Sequence, residues 1–226
     1  IISGSGPLVK TGTGTLTLSG ANTYTGGTTV SAGSLRGTTT SLQGNIVNNA
    51  GVIFDQATDG TYAAVISGTG TLTKSGAGVT TLSGANTFTG ATLVSGGTLA
   101  LGAASALADT TAVNVAAGAT LQLAASAETV GSIAGAGGIN LGSFALTTGG
   151  TDASTTFSGV ISGSGNLIKT GAGVLTLAGN NTYSGGTTVS AGSLRGSSAS
   201  LQGDISNSAT LVFDQATAGT YAGVIS

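Results

Sequence analysis

Three lysines, Lys10, Lys74 and Lys169, hold one position in a phrase that the chain writes three times. Ammonium groups recurring in this way could contact acidic glycans. They are tens of residues apart, however, so each reads as a solubilising charge on its own exposed strand. Asp55 and Asp214 stand in two copies of FDQAT. Two carboxylates could share acid–base work on a sugar polymer. At 159 residues apart, or roughly 35 Å along a stacked chain, they form no pair, and each reads as a turn-capping aspartate. Asn22, Asn86 and Asn181 each precede a threonine and an aromatic residue ahead of a glycine. Asparagine there closes a loop through hydrogen bonds to its own backbone. The aromatic residues are Tyr24, Phe88 and Tyr183; packing over the end of a coil is favoured over stacking on sugar rings.

The missing residue types exclude whole classes of chemistry. There is no His and no Cys, so zinc, copper, haem and Ser–His or Cys–His catalysis lose their usual ligands and bases. Five basic residues make no cationic stripe for a nucleic acid, and a net charge of −2 steers few charged partners. No apolar run reaches the roughly 18–20 residues of a membrane span. Gly4-Ser5-Gly6 and Gly12-Thr13-Gly14 lack the helix and acidic partner of a dinucleotide site. An ice-binding threonine face is excluded because Thr13 and Thr15 become Ala172 and Val174 in the third copy. No cofactor and no metal is expected. An enzyme acting on polysaccharide would need Asp55, Asp59 and Lys74 to converge in a cleft.

The elements that must carry these residues are short and repetitive. LVKTGTGTLTLSGANTYTGGTTVSAGSL at 8–35 returns with changes at 72–99 and 167–194. Residues 1–67 and 160–226 align without a gap, with 48 of 67 positions identical. The phrase Ile-Ser-Gly at Ile2, Ile66 and Ile161 divides the chain into units of about 1–65, 66–160 and 161–226. These units are expected to form one continuous fragment, excised from a longer protein. Apolar residues alternate over three to five positions between Ser-Gly, Gly-Gly and Ala-Gly turns, as at Leu16 and Leu18 or Val52 and Phe54. Repetition of this kind predicts an all-β fold, a parallel β-helix (β-solenoid) with coils of roughly 20 residues. An antiparallel barrel or sandwich is the alternative. Unit 1–65 is expected to span about three coils, and the alanine-rich stretch 103–111 to form a short outer helical turn.

The phrases from Gly4 to Leu35, Gly68 to Leu99 and Gly163 to Leu194 resemble the passenger-associated transport repeat of bacterial autotransporters. The repeat runs G-x-G-x-L-x-K-x-G-x-G-x-L-x-L-x-G-x-N-x-Y-x-G-x-T-x-V-x-x-G-x-L. The second copy departs from it at Thr80, Phe88 and Ala91. The resemblance implies a right-handed parallel β-helix, exported by type V secretion through an outer-membrane barrel at the C-terminus of the same precursor. It also implies display on, or release from, a Gram-negative cell surface.

The function expected from both readings is that of a structural or adhesive stalk, not an enzyme. It would support adhesion, autoaggregation or biofilm formation. Self-association and host or matrix glycans or proteins are the expected partners; nucleic acid and direct membrane insertion are not. The alternatives are a polysaccharide-acting enzyme on the same fold and a passive spacer presenting a distal domain.

Overall fold

The computed structural model describes residues 1–226, and every regular element in it is a strand. Each strand pairs in parallel with the strand one turn before or after it. A parallel neighbour requires a crossover, and here the crossover is the rest of the turn. The result is a β-solenoid of eleven turns, counted by the eleven strands of its longest sheet, from Thr15–Thr17 to Thr210–Phe213. Register offsets along that sheet run from 17 residues (Leu35 to Val52) to 22 (Gly135 to Phe157), around the expected 20.

Each turn has three faces. The eleven-stranded sheet forms the second. The first carries Leu8–Lys10, Thr28–Val30, Ile46–Asn48 and Ile66–Ser67, then five strands from Glu128–Val130 to Ile205–Asn207. Between Ile66 and Glu128 this face has no regular strand and is bridged by single bonds, such as Thr87 N to Ile66 O at 2.9 Å. The third face begins with Ser3–Gly4 and Thr23–Tyr24, and carries six strands from Gly60–Tyr62 to Val160–Ser162.

Alternation within each strand sends one set of side chains inward, where like residues stack from turn to turn. Leu35, Val52 and Leu72 form such a column on the second face, and Leu99, Leu121 and Ile139 another on the third. These columns merge into one core of 37 buried residues running from Leu18 to Ile205. The stretch 103–111 contains turns and no helix, contrary to expectation: Leu107 and Ala106 are buried, and Glu128 from the next turn ties their backbone.

The repeats and the turns are out of step. Ser3 of the first unit lies on the third face, paired with Thr23, whereas the matching Ser67 lies on the first, paired with Val47. Ser162 returns to the third face, paired with Asn140. The first unit therefore occupies three and a third turns, in line with the expected three or so. The second, 95 residues long, occupies four and two thirds. Together they make eight whole turns in 159 residues.

The solenoid accepts the repeat in two phases, with the lysine strand on the first face at Lys10 and Lys169 and on the second at Lys74. We expect a chain deleted for residues 66–160, with Val65 joined to Ile161, to fold as a shorter solenoid with an intact β-type circular dichroism spectrum and cooperative unfolding. Loss of cooperative unfolding would show that the second unit is needed to match the other two.

Candidate functional site

The lysines are not on the surface. Lys10 is 7%, Lys74 0% and Lys169 1% exposed, which corrects the reading of a solubilising column. In Leu8–Lys10, Leu72–Lys74 and Leu167–Lys169 the lysine has the same inward parity as the leucine two residues before it. That parity was the signal in the sequence. The lysines also form no column: Lys10 and Lys169 end strands of the first face, and Lys74 is the last residue but one of a strand of the second.

Each ammonium sits at the corner beyond its strand and donates to three backbone carbonyls. For Lys74, Nζ lies 2.8 Å from the oxygen of Ser75, 2.8 Å from that of Gly76 and 3.0 Å from that of Gly96. Lys10 reaches Thr11, Gly12 and Ala32 at 2.8, 2.7 and 3.0 Å. Lys169 reaches Thr170, Gly171 and Ala191 at 2.5, 2.8 and 3.2 Å. The third carbonyl in each set belongs to the next turn, so the lysine ties two turns together. Gly33 shows why glycine is needed here: its φ is +66°, and a Cβ would lie 2.3 Å from Gly14 O and 2.8 Å from Lys10 Nζ. Burial lowers the pKa of Lys74 and Lys169, with Asp55 and Asp152 respectively opposing the shift.

The asparagines act mainly between turns, where closure of their own loops was expected. Asn86 Oδ1 accepts from Ile66 N in the turn before at 2.8 Å, and its Nδ2 donates to Ala106 O in the turn after at 2.7 Å. Asn22 links Ile2 N to Ser41 O, and Asn181 links Ile161 N to Ser200 O. Asn86 Nδ2 adds one local bond, to Gly84 O at 3.0 Å. A buried amide has a donor and an acceptor at opposite sides of one plane, which suits a three-turn staple.

The aromatic residues are buried beside these staples. Tyr24 pairs its hydroxyl with Thr28 Oγ1 at 2.9 Å, and Tyr183 with Thr187 Oγ1 at 2.7 Å. Phe88 has no hydroxyl, and the matching Thr92 Oγ1 is buried without a partner. None of the three aromatic residues offers a platform for a sugar.

The carboxylates are equally occupied. Asp55 binds Arg36 in the preceding turn, through Nε at 3.1 Å and also through Nη2, and accepts from Ser75 Oγ at 3.1 Å. The guanidinium holds its carboxyl below the usual range. Asp214 binds Arg195 at 2.7 Å in the same way. Both aspartates are therefore ion-pair partners between turns, where turn caps were expected. Asp59 accepts from Val79 N at 2.9 Å. With Lys74 enclosed by carbonyls, Asp55, Asp59 and Lys74 make no common cleft.

Glu128 was not singled out by the sequence. It is 3% exposed, and its carboxylate accepts from Leu107 N at 2.8 Å and Ala106 N at 3.3 Å. No cation is paired with it. Burial pushes its pKa from 4.5 up to about 7, the two N–H bonds pull it down, and Asp109 adds to the rise. Its parity with Val130 marked the inward position.

Two measurements check these assignments. Lys74→Met leaves three buried carbonyls without their donor, and we expect a loss on the order of 3 kcal/mol in guanidinium unfolding. Lys74→Arg should not rescue it, because a planar fork cannot aim its donors at carbonyls converging on one point. For Glu128, the raised pKa means that the folded chain keeps a proton the unfolded chain has released. Stability should therefore fall as pH rises from about 4.5 to 7, by roughly 2–3 kcal/mol, and level off above. Glu128→Gln should flatten that dependence in denaturant midpoints taken from pH 5 to 8; an unchanged slope would assign it to other groups.

Comparison with known proteins fits this repeat geometry. Residues 8–36, 72–101 and 167–195 match the passenger-associated-transport-repeat family. These are the segments that hold the lysine cradles and the asparagine staples. A stretch of 99 residues is 40% identical to the BmaC adhesin autotransporter of Brucella suis biovar 1, covering 33% of this chain and 3% of that protein. The chain thus corresponds to only a small part of the adhesin's length. No solved structure matches.

Proposed function

We propose that this chain, an autotransporter passenger segment built on passenger-associated transport repeats, is an adhesive shaft displayed at or released from a Gram-negative cell surface. In that setting it supports contact between cells, leading to autoaggregation and biofilm, or contact with host or matrix surfaces. Its precursor would carry the outer-membrane barrel.

The observation that carries this reading is how the polar groups are used. The three lysines and the asparagines of the repeat are turned inward, where they join one turn to the next. What remains outside includes threonine-rich ladders, as in Thr129, Thr147, Ile168 and Thr188 of the first face, where one isoleucine interrupts the threonines. With a net charge of −2, repulsion between like molecules is small. The similarity to an autotransporter adhesin supports the same reading. An enzyme on this fold is disfavoured, because Asp55 and Asp214 are paired with arginines, Asp59 and Glu128 accept from backbone, and the three lysines are enclosed by carbonyls.

The test compares full-length protein on cells with a form deleted for residues 1–226, matched for surface expression. Loss of clumping or surface binding is the expected outcome. Unchanged behaviour would make the segment a passive spacer.

A further inference from the structure

The two arginine–aspartate pairs recur on one face because of the phase relation between units. Arg36 and Arg195 are the only arginines, and they point outward from the second face. Register carries Arg36 through Ile53, Thr73, Leu93 and Asn114 to Ala134. From there the line continues through Thr156 and Thr176 to Arg195. That is eight whole turns, which keeps both pairs on the same face about 38 Å apart. The second unit has Ala100 where the arginine would be, on the third face. Each pair borders a small cup of about 160–200 Å³, lined by equivalent residues in the two units: Thr17, Gly37 and Thr38 in one, Thr176, Gly196 and Ser197 in the other.

The geometry points to a second copy of this chain as the partner of the second face, laid antiparallel against it; this deepens the adhesive reading and rests on it. In each pair the arginine precedes the aspartate by one turn. Reversing one copy reverses that order, so Arg36–Asp55 meets Asp214–Arg195 at one end, and the same contact forms at the other. The spacing matches automatically because it is the same in both copies. A parallel arrangement about the solenoid axis would instead place arginine against arginine. No other outward charge lies on the strands between Asp55 and Arg195, and Leu93 there is 38% exposed. The strip is narrow, so one contact is weak and salt-sensitive, and many copies on apposed cells add up.

The test uses the 226-residue chain in sedimentation equilibrium. One variant carries Arg36→Asp and Arg195→Asp, the other Asp55→Lys and Asp214→Lys, each checked for folding by circular dichroism. The expected result is self-association of the parent that weakens with salt, at least about ten-fold weaker association of each variant alone, and recovery on mixing the two. The deletion of residues 66–160 retains both pairs but leaves them a third of a turn out of line; it should not associate. Equal self-association in parent and variants, a mixture that fails to recover, or a parent that stays monomeric would each overturn the pairing. The same variants on cells separate the two readings. Clumping that needs residues 1–226 but ignores the charge reversals keeps the adhesive role and discards this face. Variants that lose binding to an immobilised matrix glycan, with self-association unchanged, also discard it.

Discussion

The structure depends on three backbone carbonyls converging on one buried ammonium at a corner of the solenoid. A parallel ladder satisfies peptide groups along the strands, but the corners leave carbonyls facing inward with no strand partner. Glycine at φ near +60° to +80° turns the chain sharply enough that carbonyls from two successive turns meet at a point. Lysine supplies a compact charge with three rotatable donors on a stem long enough to run through the core. The asparagines do the same work one corner further on, with an amide in place of a charge. Polar residues thus set the register between turns, and the leucine, valine and isoleucine columns supply most of the buried area.

The same arrangement explains why a repeat can rotate. Each corner is closed by groups that belong to the repeat itself, so the phrase takes its closure with it to whichever face it reaches. Lys10 closes a corner after the first face and Lys74 one after the second, with near-identical distances. Units of non-integral length then become a means of setting azimuth. Three and a third turns followed by four and two thirds bring the third unit back into line with the first. Where closure is less regular, as on the first face between Ile66 and Glu128, a buried carboxylate takes over a role otherwise given to asparagine, and brings a protonation equilibrium with it.

How much of this was legible in the sequence can be judged residue by residue. The alternation of Leu16 and Leu18, repeated in three phrases, determined an all-β solenoid with turns near 20 residues, because side-chain parity and repeat length are properties of the chain alone. It also carried the family resemblance, since that rests on motif spacing. The parity of Lys10 with Leu8 pointed inward, but charge argued for solvent, and only the folded corner shows three carbonyls close enough to repay burial. Asn86 likewise needed Ile66 and Ala106, which no local window contains. The phase of the units, and therefore the alignment of Arg36 with Arg195, was decided by the tertiary structure: it depends on the summed lengths of every turn between them, and a difference of a few residues per turn moves a side chain to another face.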